Sequence, residues 1–164
     1  MPDQDRPTKI LPRQIATIFG VGTLRPAPGT WGSLVALPLF YVAHVTGGFS
    51  GVVVATLIIF ALGWWATLEM TRNREDHDPS EIVIDEVAGQ WIAILPIAMW
   101  PHAYEISIWY WFLAFAGFRM FDIIKPGLVG WADRQVSPIG VMLDDIIAGL
   151  MTAAAIILVM IILS

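Results

Sequence analysis

The 164-residue chain contains no cysteine, which excludes disulfides, thiolate nucleophiles and cysteine-ligated metal centres. Charge is also scarce: Asp, Glu, Lys and Arg make up 14% of the residues, whereas about a quarter is usual in soluble domains. The nine Lys and Arg residues form no basic stripe, so nucleic acid is not an expected partner. With 57% hydrophobic residues, the chain is predicted to have the lipid bilayer as its solvent.

The hydrophobic segments predict an all-α integral membrane bundle of about five helices, of which four to five cross the bilayer. The predicted helices cover residues 31–45, 51–70, 87–100, 104–121 and 146–163. Thr30 is expected to cap the first helix, and the TGGFSG sequence is expected to end it. The third helix would be about 21 Å long, against ~30 Å of hydrocarbon, so whether it fully crosses stays open.

No linker or internal repeat divides the chain, which predicts a tail over residues 1–12 and a single membrane-embedded domain over residues 13–164. All nine Lys and Arg residues fall on one side of the predicted bundle. Residues 45–51 and 100–104, assigned to the other side, contain none. By the positive-inside rule the charged side faces the cytoplasm.

Four motifs lie on this charged side. The first, PAPGTWGS at residues 26–33, precedes the first helix. Glycines permit close backbone approach, and a helix N-terminus attracts anions, so a phosphate site and a plain rigid helix start both fit the motif. Its candidate phosphate-binding residues are Gly29, Thr30, Gly32 and Ser33.

The second motif, HDPSEIVIDE at residues 77–86, is rich in acids. Carboxylate oxygens are ligands that hard divalent cations such as Mg²⁺ prefer, which makes Asp78, Asp85 and Glu86 candidate metal ligands. Asp85 and Glu86 would also stabilise a helix N-terminus electrostatically, and both interpretations stay open.

The third motif, RMFDIIKP at residues 119–126, spaces Arg119, Asp122 and Lys125 by three, so that on a helix they share one face. These side chains can bind a phosphate ester or form an interfacial row with an internal salt bridge. The spacing alone does not decide between the two.

The fourth motif, GVMLDDIIAG at residues 140–149, places Asp144 and Asp145 before 18 uncharged residues. Acids beside such a segment are costly unless they are paired or bound to metal, which favours a functional role. Gly140 and Gly149 are expected to allow close approach of neighbouring helices. Asp133 and Arg134, in the preceding loop, are candidates for the same network.

In order and spacing, the four motifs resemble those of the phosphatidylglycerophosphatase A family, bacterial inner-membrane enzymes that hydrolyse phosphatidylglycerophosphate to phosphatidylglycerol and inorganic phosphate. The resemblance spans residues 25–149. It implies Mg²⁺ dependence, a membrane lipid substrate, a role in phospholipid biosynthesis, and a multi-pass location with the active site facing the cytoplasm.

On this interpretation the acids of the motifs act on a phosphate ester held by cations, with water or an aspartate as the nucleophile. The candidate catalytic residues are Asp85, Glu86, Asp122, Asp144 and Asp145. The candidate metal ligands are Asp78, Asp85, Glu86, Asp144 and Asp145. Arg119, Lys125 and Arg134 are expected to bind phosphoryl oxygens.

Two other activities stay open at this stage. A CDP-alcohol phosphotransferase would also place acids and Mg²⁺ at helix ends, although its DG and AR pattern is missing. A small cation or proton transporter would keep intramembrane acids, but nearer the middle of the bilayer. The preference among lipid phosphates, the number of metal ions and the oligomeric state are not determined by the sequence.

Overall fold

The computed structural model describes residues 10–72, 79–99, 108–135 and 137–163. Within these ranges the regular secondary structure is α-helix, with a 3₁₀ turn at Val21–Thr23 and no strand, so the all-α part of the predicted fold class is confirmed. The helices are α1 (Ile10–Ala16), α2 (Pro28–Thr71), α3 (Ile84–Met99), α4 (Ile108–Ile124), α5 (Leu128–Asp133) and α6 (Pro138–Leu163). Of the predicted tail, residues 1–9 lie outside the described ranges, and α1 begins at Ile10.

Helix α2 consists of two segments joined at a break. Gly48 has φ 63° and ψ −165°, a conformation that glycine adopts readily and that interrupts the helix. The break lies within the TGGFSG sequence that predicted it. Gly32 in the first segment packs against Val83, and Met70 in the second clusters with Ile82, so both ends of α2 meet the start of α3.

The start of α2 differs from the prediction. The helix begins at Pro28, and its N-cap residue, Ala27, makes no side-chain capping hydrogen bond. Proline is favoured in a first turn because its φ is already helical and its missing N–H has no partner there. Thr30 lies inside this first turn, so the predicted hydroxyl cap from Thr30 is wrong.

Helices α3 and α6 also begin earlier than predicted, at Ile84 rather than residue 87 and at Pro138 rather than residue 146. The prediction counted only the uncharged stretch, but acidic residues near a helix N-terminus are compatible with the helix and interact favourably with its dipole. As a result Asp144 and Asp145 lie in the second turn of α6, not at its entrance.

The predicted fourth helix is observed as α4, which extends beyond residue 121 to Ile124, while residues 104–107 lie outside the described ranges. The short helix α5, which follows α4 directly, was not predicted from the sequence. It places Asp133 close to the end of α4.

Within the described part of the chain two helices, α2 and α6, are long and apolar enough to cross a membrane. In the most apolar stretch of each, only 11% and 28% of the residues are buried inside the protein. Most of these apolar side chains therefore face outward, as they would toward lipid. Leu57 in α2 and Ile162 in α6, for example, are 65% and 70% exposed.

Helix α3 lies at the centre and packs against both α2 and α6. A side chain at Gly149 would collide with the backbone of Gly89, and a Cβ at Gly89 would lie 2.5 Å from the carbonyl oxygen of Asp145. The backbones of α3 and α6 therefore touch, which confirms the close approach predicted for Gly149. Gly140 instead makes room for the backbone of Gln135.

Candidate active site

A polar pocket of about 250 Å³ opens at the end of the bundle where α2, α3 and α6 begin and α4 ends. All five predicted catalytic carboxylates line it: Asp85, Glu86, Asp122, Asp144 and Asp145. Gly29, Arg119 and Lys125 line it as well. Four helices thus bring residues from all four motifs to one place.

Three of these acids form a tight group, called the acid cluster below. One carboxylate oxygen from each of Asp85, Glu86 and Asp145 lies within 4.8 Å of the others. Asp85 and Asp145 are only 5% and 4% exposed. Glu86 and Asp85 begin α3, and Asp145 comes from α6 across the Gly89–Gly149 contact, so the close helix crossing sets the spacing of the cluster.

Two oxygens of the acid cluster lack a hydrogen bond from the described part of the chain. The Oε2 atom of Glu86 and the Oδ1 atom of Asp145 are buried and accept no hydrogen bond from any residue in the described ranges. Burial, together with the nearby carboxylates of Asp145 and Asp122, raises the pKa of Glu86 to about 8. Glu86 lies outside both helices that are long enough to span a membrane. Converging oxygen ligands with unsatisfied buried atoms fit a divalent cation.

Asp144 has a different environment from its neighbour Asp145. Lys125 Nζ donates a 2.9 Å hydrogen bond to Asp144 Oδ2 and also pairs closely with Asp133. Burial lowers the pKa of Lys125, but the hydrogen bonds to these two carboxylates outweigh it and raise the pKa above its ordinary value. Lys125 therefore carries a positive charge at the edge of the pocket, and Asp144 is paired rather than part of the acid cluster.

Lys125 reaches the pocket by a route that helical spacing did not predict. Helix α4 ends at Ile124, and Lys125 follows it in the left-handed conformation, with φ 49°. Non-glycine residues rarely adopt this conformation, except where a helix ends. The predicted single helical face of Arg119, Asp122 and Lys125 is therefore wrong for Lys125, although all three line the pocket.

Arg119 is the second cation of the pocket. Its Nη1 atom lies 2.6 Å from Asp122 Oδ2 and donates to Ser33 Oγ at 3.3 Å. Its Nε atom is buried and has no hydrogen-bond partner among the residues that the structure describes. Ser33 in turn donates to the carbonyl oxygen of Gly29 at 2.9 Å, so the first turn of α2 helps to hold Arg119.

Gly29 contributes by having no side chain. A Cβ at this position would overlap Glu86 Oε1 and would lie 3.1 Å from Arg119 Nη1. The glycine thus lets a carboxylate and a guanidinium both approach the start of α2. The motif that contains Gly29 was one that the sequence offered as a phosphate site, and in the structure Gly29 has this steric role.

Of the remaining predicted site residues, those in the described ranges do not line the pocket. Gly32 packs against Val83 instead, since a Cβ there would lie 2.8 Å from the Cβ of Val83. Thr30 lies in the first turn of α2 without lining the pocket, and Arg134 is exposed near Gly130. Asp78 lies outside the described residues.

Two residues that sequence reasoning missed stand out. Ser80 lines the pocket and accepts a 3.4 Å hydrogen bond from Arg25. Gln90 is completely buried one helical turn beyond Glu86, and neither atom of its amide is hydrogen-bonded within the described ranges. An uncharged polar residue inside an apolar helix was the available signal for Gln90.

Buried carboxylates able to hold a divalent cation, set beside two cations able to bind phosphoryl oxygens, are typical of enzymes that act on phosphate esters. The comparisons with known proteins agree with this class. Residues 14–160 match the family model described as phosphatidylglycerophosphatase A, and the chain belongs to this family of phosphatases.

Named relatives cover most of the chain. Phosphatidylglycerophosphatase A of Haemophilus influenzae is 36% identical over 138 residues, which are 83% of this chain and 80% of the relative. Phosphatidylglycerophosphatase A of Escherichia coli is 34% identical over 141 residues, or 85% and 77%. A Bacteroides thetaiotaomicron protein with the provisional name phosphatidylinositol-3-phosphatase is 35% identical over 144 residues, or 85% and 87%. No solved structure matches the chain significantly.

Proposed function

We propose that this protein is a Mg²⁺-dependent phosphatase that converts phosphatidylglycerophosphate to phosphatidylglycerol and inorganic phosphate in phospholipid biosynthesis. The observation that carries the proposal is the pocket itself, where the buried acid cluster stands beside Arg119 and Lys125 at the end of apolar helices. The family and two of the named relatives support the choice of substrate.

Asp85, Glu86 and Asp145 are the residues that would hold Mg²⁺, since their oxygens already converge. When bound, the ion would supply Lewis-acid polarisation of a phosphoryl oxygen and neutralise part of its negative charge. Asp144 is assigned to a different role because it is already paired with Lys125.

The side chains of the pocket divide the remaining work. Arg119 and Lys125 bind the phosphoryl oxygens and stabilise the charge that develops on them. Asp122 and Asp144 hold these two cations in place through ion pairs of 2.6 and 2.9 Å. Water attacks the phosphorus and a pocket carboxylate accepts its proton. The bond from phosphorus to the glycerol oxygen breaks, and this oxygen leaves with the lipid as a hydroxyl after taking up the proton from the carboxylate.

The placement of the acids favours a hydrolase over a transporter. Asp85 and Glu86 lie in the first turn of α3, and Asp145 lies in the second turn of α6. A transport path would need such groups near the middle of the bilayer. The phosphotransferase alternative has no support from the family match, which is to a phosphatase family.

We further propose four to five membrane crossings, a location in the bacterial inner membrane and a pocket that faces the cytoplasm. The support is the one-sided distribution of Lys and Arg in the sequence and the break at Gly48, since the segments on both sides of it contact the start of α3. Because the chain has no native cysteine, single cysteines at Arg134 and Gly47 can be labelled with an impermeant maleimide in oriented vesicles. Labelling of both from the same side would contradict the proposed topology.

The activity is tested by phosphate release from detergent-purified protein. Phosphatidylglycerophosphate, phosphatidic acid and phosphatidylinositol 3-phosphate are compared, each with Mg²⁺ and with chelator. We expect Mg²⁺-dependent release mainly from phosphatidylglycerophosphate. Faster release from phosphatidylinositol 3-phosphate would contradict the proposed substrate. Equal release with Mg²⁺ and with chelator would contradict the proposed metal dependence.

A further inference from the structure

A second cavity lies on the outer surface of the bundle, between α4 and α6. It has a volume of about 300 Å³ and is called the α4–α6 groove below. Its lining includes Leu113, Gly117 and Phe121 from α4 and Thr152, Ala155 and Val159 from α6. The one hydroxyl among these, on Thr152, donates to the carbonyl oxygen of Ala148 at 2.9 Å. It therefore needs no hydrogen bond from a molecule in the groove.

The groove and the polar pocket are lined by residues of the same two helices. On α4, Met120 and Phe121 line the groove, whereas Arg119 and Asp122 on either side of them line the pocket. On α6 the pocket ends at Asp145 and the groove extends to residue 159, about 21 Å further along the helix. Both helices therefore lead from charged to apolar surroundings in the same direction.

The groove is narrow because small residues form its floor. A Cβ at Gly117 would lie 3.0 Å from Thr152 Cγ2, so the two helices are nearly in contact there. A packed helix is about 10 Å across and cannot enter such a cleft, whereas a single hydrocarbon chain can. A molecule that fits both cavities has a phosphate at one end and an acyl chain at the other.

We propose that the α4–α6 groove binds one acyl chain of the lipid phosphate substrate while the phosphate lies in the pocket. This inference rests on the proposed lipid phosphatase function and adds a lipid-binding site to it. The groove fixes where the lipid enters, because a chain seated between α4 and α6 brings its headgroup to Arg119 and Asp145 from the bilayer side.

Ala155→Phe tests the proposal, since Ala155 is exposed and a phenyl ring there would fill the groove. Ala154→Phe is the matched control: Ala154 is the exposed neighbour on the same helix and does not line the groove. Each variant is assayed with dioleoyl and dihexanoyl phosphatidylglycerophosphate in mixed micelles at fixed mole fraction. The headgroup is the same in both substrates, so only the chain contacts differ.

For Ala155→Phe we expect kcat/KM on the dioleoyl lipid to fall about tenfold, mainly through KM, because the phenyl ring displaces the chain from the groove and removes its packing contacts. On the dihexanoyl lipid kcat/KM should stay within about twofold, because the short chain makes fewer packing contacts in the groove. Ala154→Phe should leave both substrates unchanged. An unaltered ratio of the two substrates in Ala155→Phe would overturn the proposal.

A measurement that needs no turnover separates this inference from the proposed function. A dioleoyl-type lipid phosphate with a diazirine in its acyl chain should label residues 113–121 and 152–159, and Ala155→Phe but not Ala154→Phe should reduce that labelling. If the wild-type protein hydrolyses neither lipid, the proposed function fails, but the labelling still shows whether the groove binds an acyl chain. Equal labelling of the two variants would refute acyl-chain binding in the groove, whatever their activity.

Discussion

Gly29→Ala should abolish most of the activity without unfolding the protein. The added Cβ would overlap Glu86 Oε1 and would lie 3.1 Å from Arg119 Nη1 and 3.2 Å from Glu86 Cδ. Both partners are held in the pocket, so the carboxylate must move away from the acid cluster or the guanidinium away from its Ser33 contact. A displacement of about 1 Å at a reacting site costs about 10²-fold in rate, which is about 2.7 kcal/mol of transition-state stabilisation.

The fold should tolerate the same change. Alanine is favoured over glycine inside a helix by about 1 kcal/mol, so helix α2 itself gains from the substitution. Gly47→Ala is the matched control, because a Cβ at Gly47 would meet no described atom within 4 Å. The assay is kcat/KM for phosphate release, with the thermal unfolding midpoint in detergent measured on the same preparations.

Two results would refute this reasoning about Gly29. Activity within twofold of the wild type would show that Glu86 and Arg119 are not constrained as the structure indicates. An equal loss of activity in Gly47→Ala would show that the effect comes from α2 in general. A conserved unfolding midpoint together with the loss of activity in Gly29→Ala alone is the expected outcome.

Three other predictions concern the acids and the helix crossing. Asp145→Asn should weaken Mg²⁺ binding by at least about tenfold in a calorimetric titration. Asp144→Asn should change it much less, because Asp144 is paired with Lys125. Equal losses in the two variants would contradict the assignment of Asp145, and not Asp144, as a metal ligand. Mg²⁺ affinity should rise with pH up to about 8 and then level off, because protons compete with the ion for Glu86 below its raised pKa. A flat affinity profile from pH 6 to 9 would count against Glu86 as a ligand. Gly149→Leu should lower the free energy of unfolding by about 1–3 kcal/mol, because the leucine side chain would collide with the backbone of α3. An unchanged unfolding midpoint would show that α3 and α6 cross less closely than described.

Much of the architecture was predictable because hydrophobic periodicity and breakers act locally. The runs of apolar residues gave the all-α class, and TGGFSG gave the break that the structure has at Gly48. Helix boundaries were less predictable. Charged residues such as Asp144 continue α6 without belonging to its apolar run, and the proline that starts this helix, Pro138, lies well before it.

The sequence by itself determined which chemistry is available: acids and cations in ordered motifs, no thiol, and apolar helices on which to place them. Only the tertiary structure decided how these groups are divided. Asp144 and Asp145 are adjacent in the chain, yet one faces Lys125 and the other joins Asp85 and Glu86. The reason is geometric: successive helix residues point about 100° apart, and which neighbour each one meets depends on how closely α3 and α6 cross at Gly89 and Gly149.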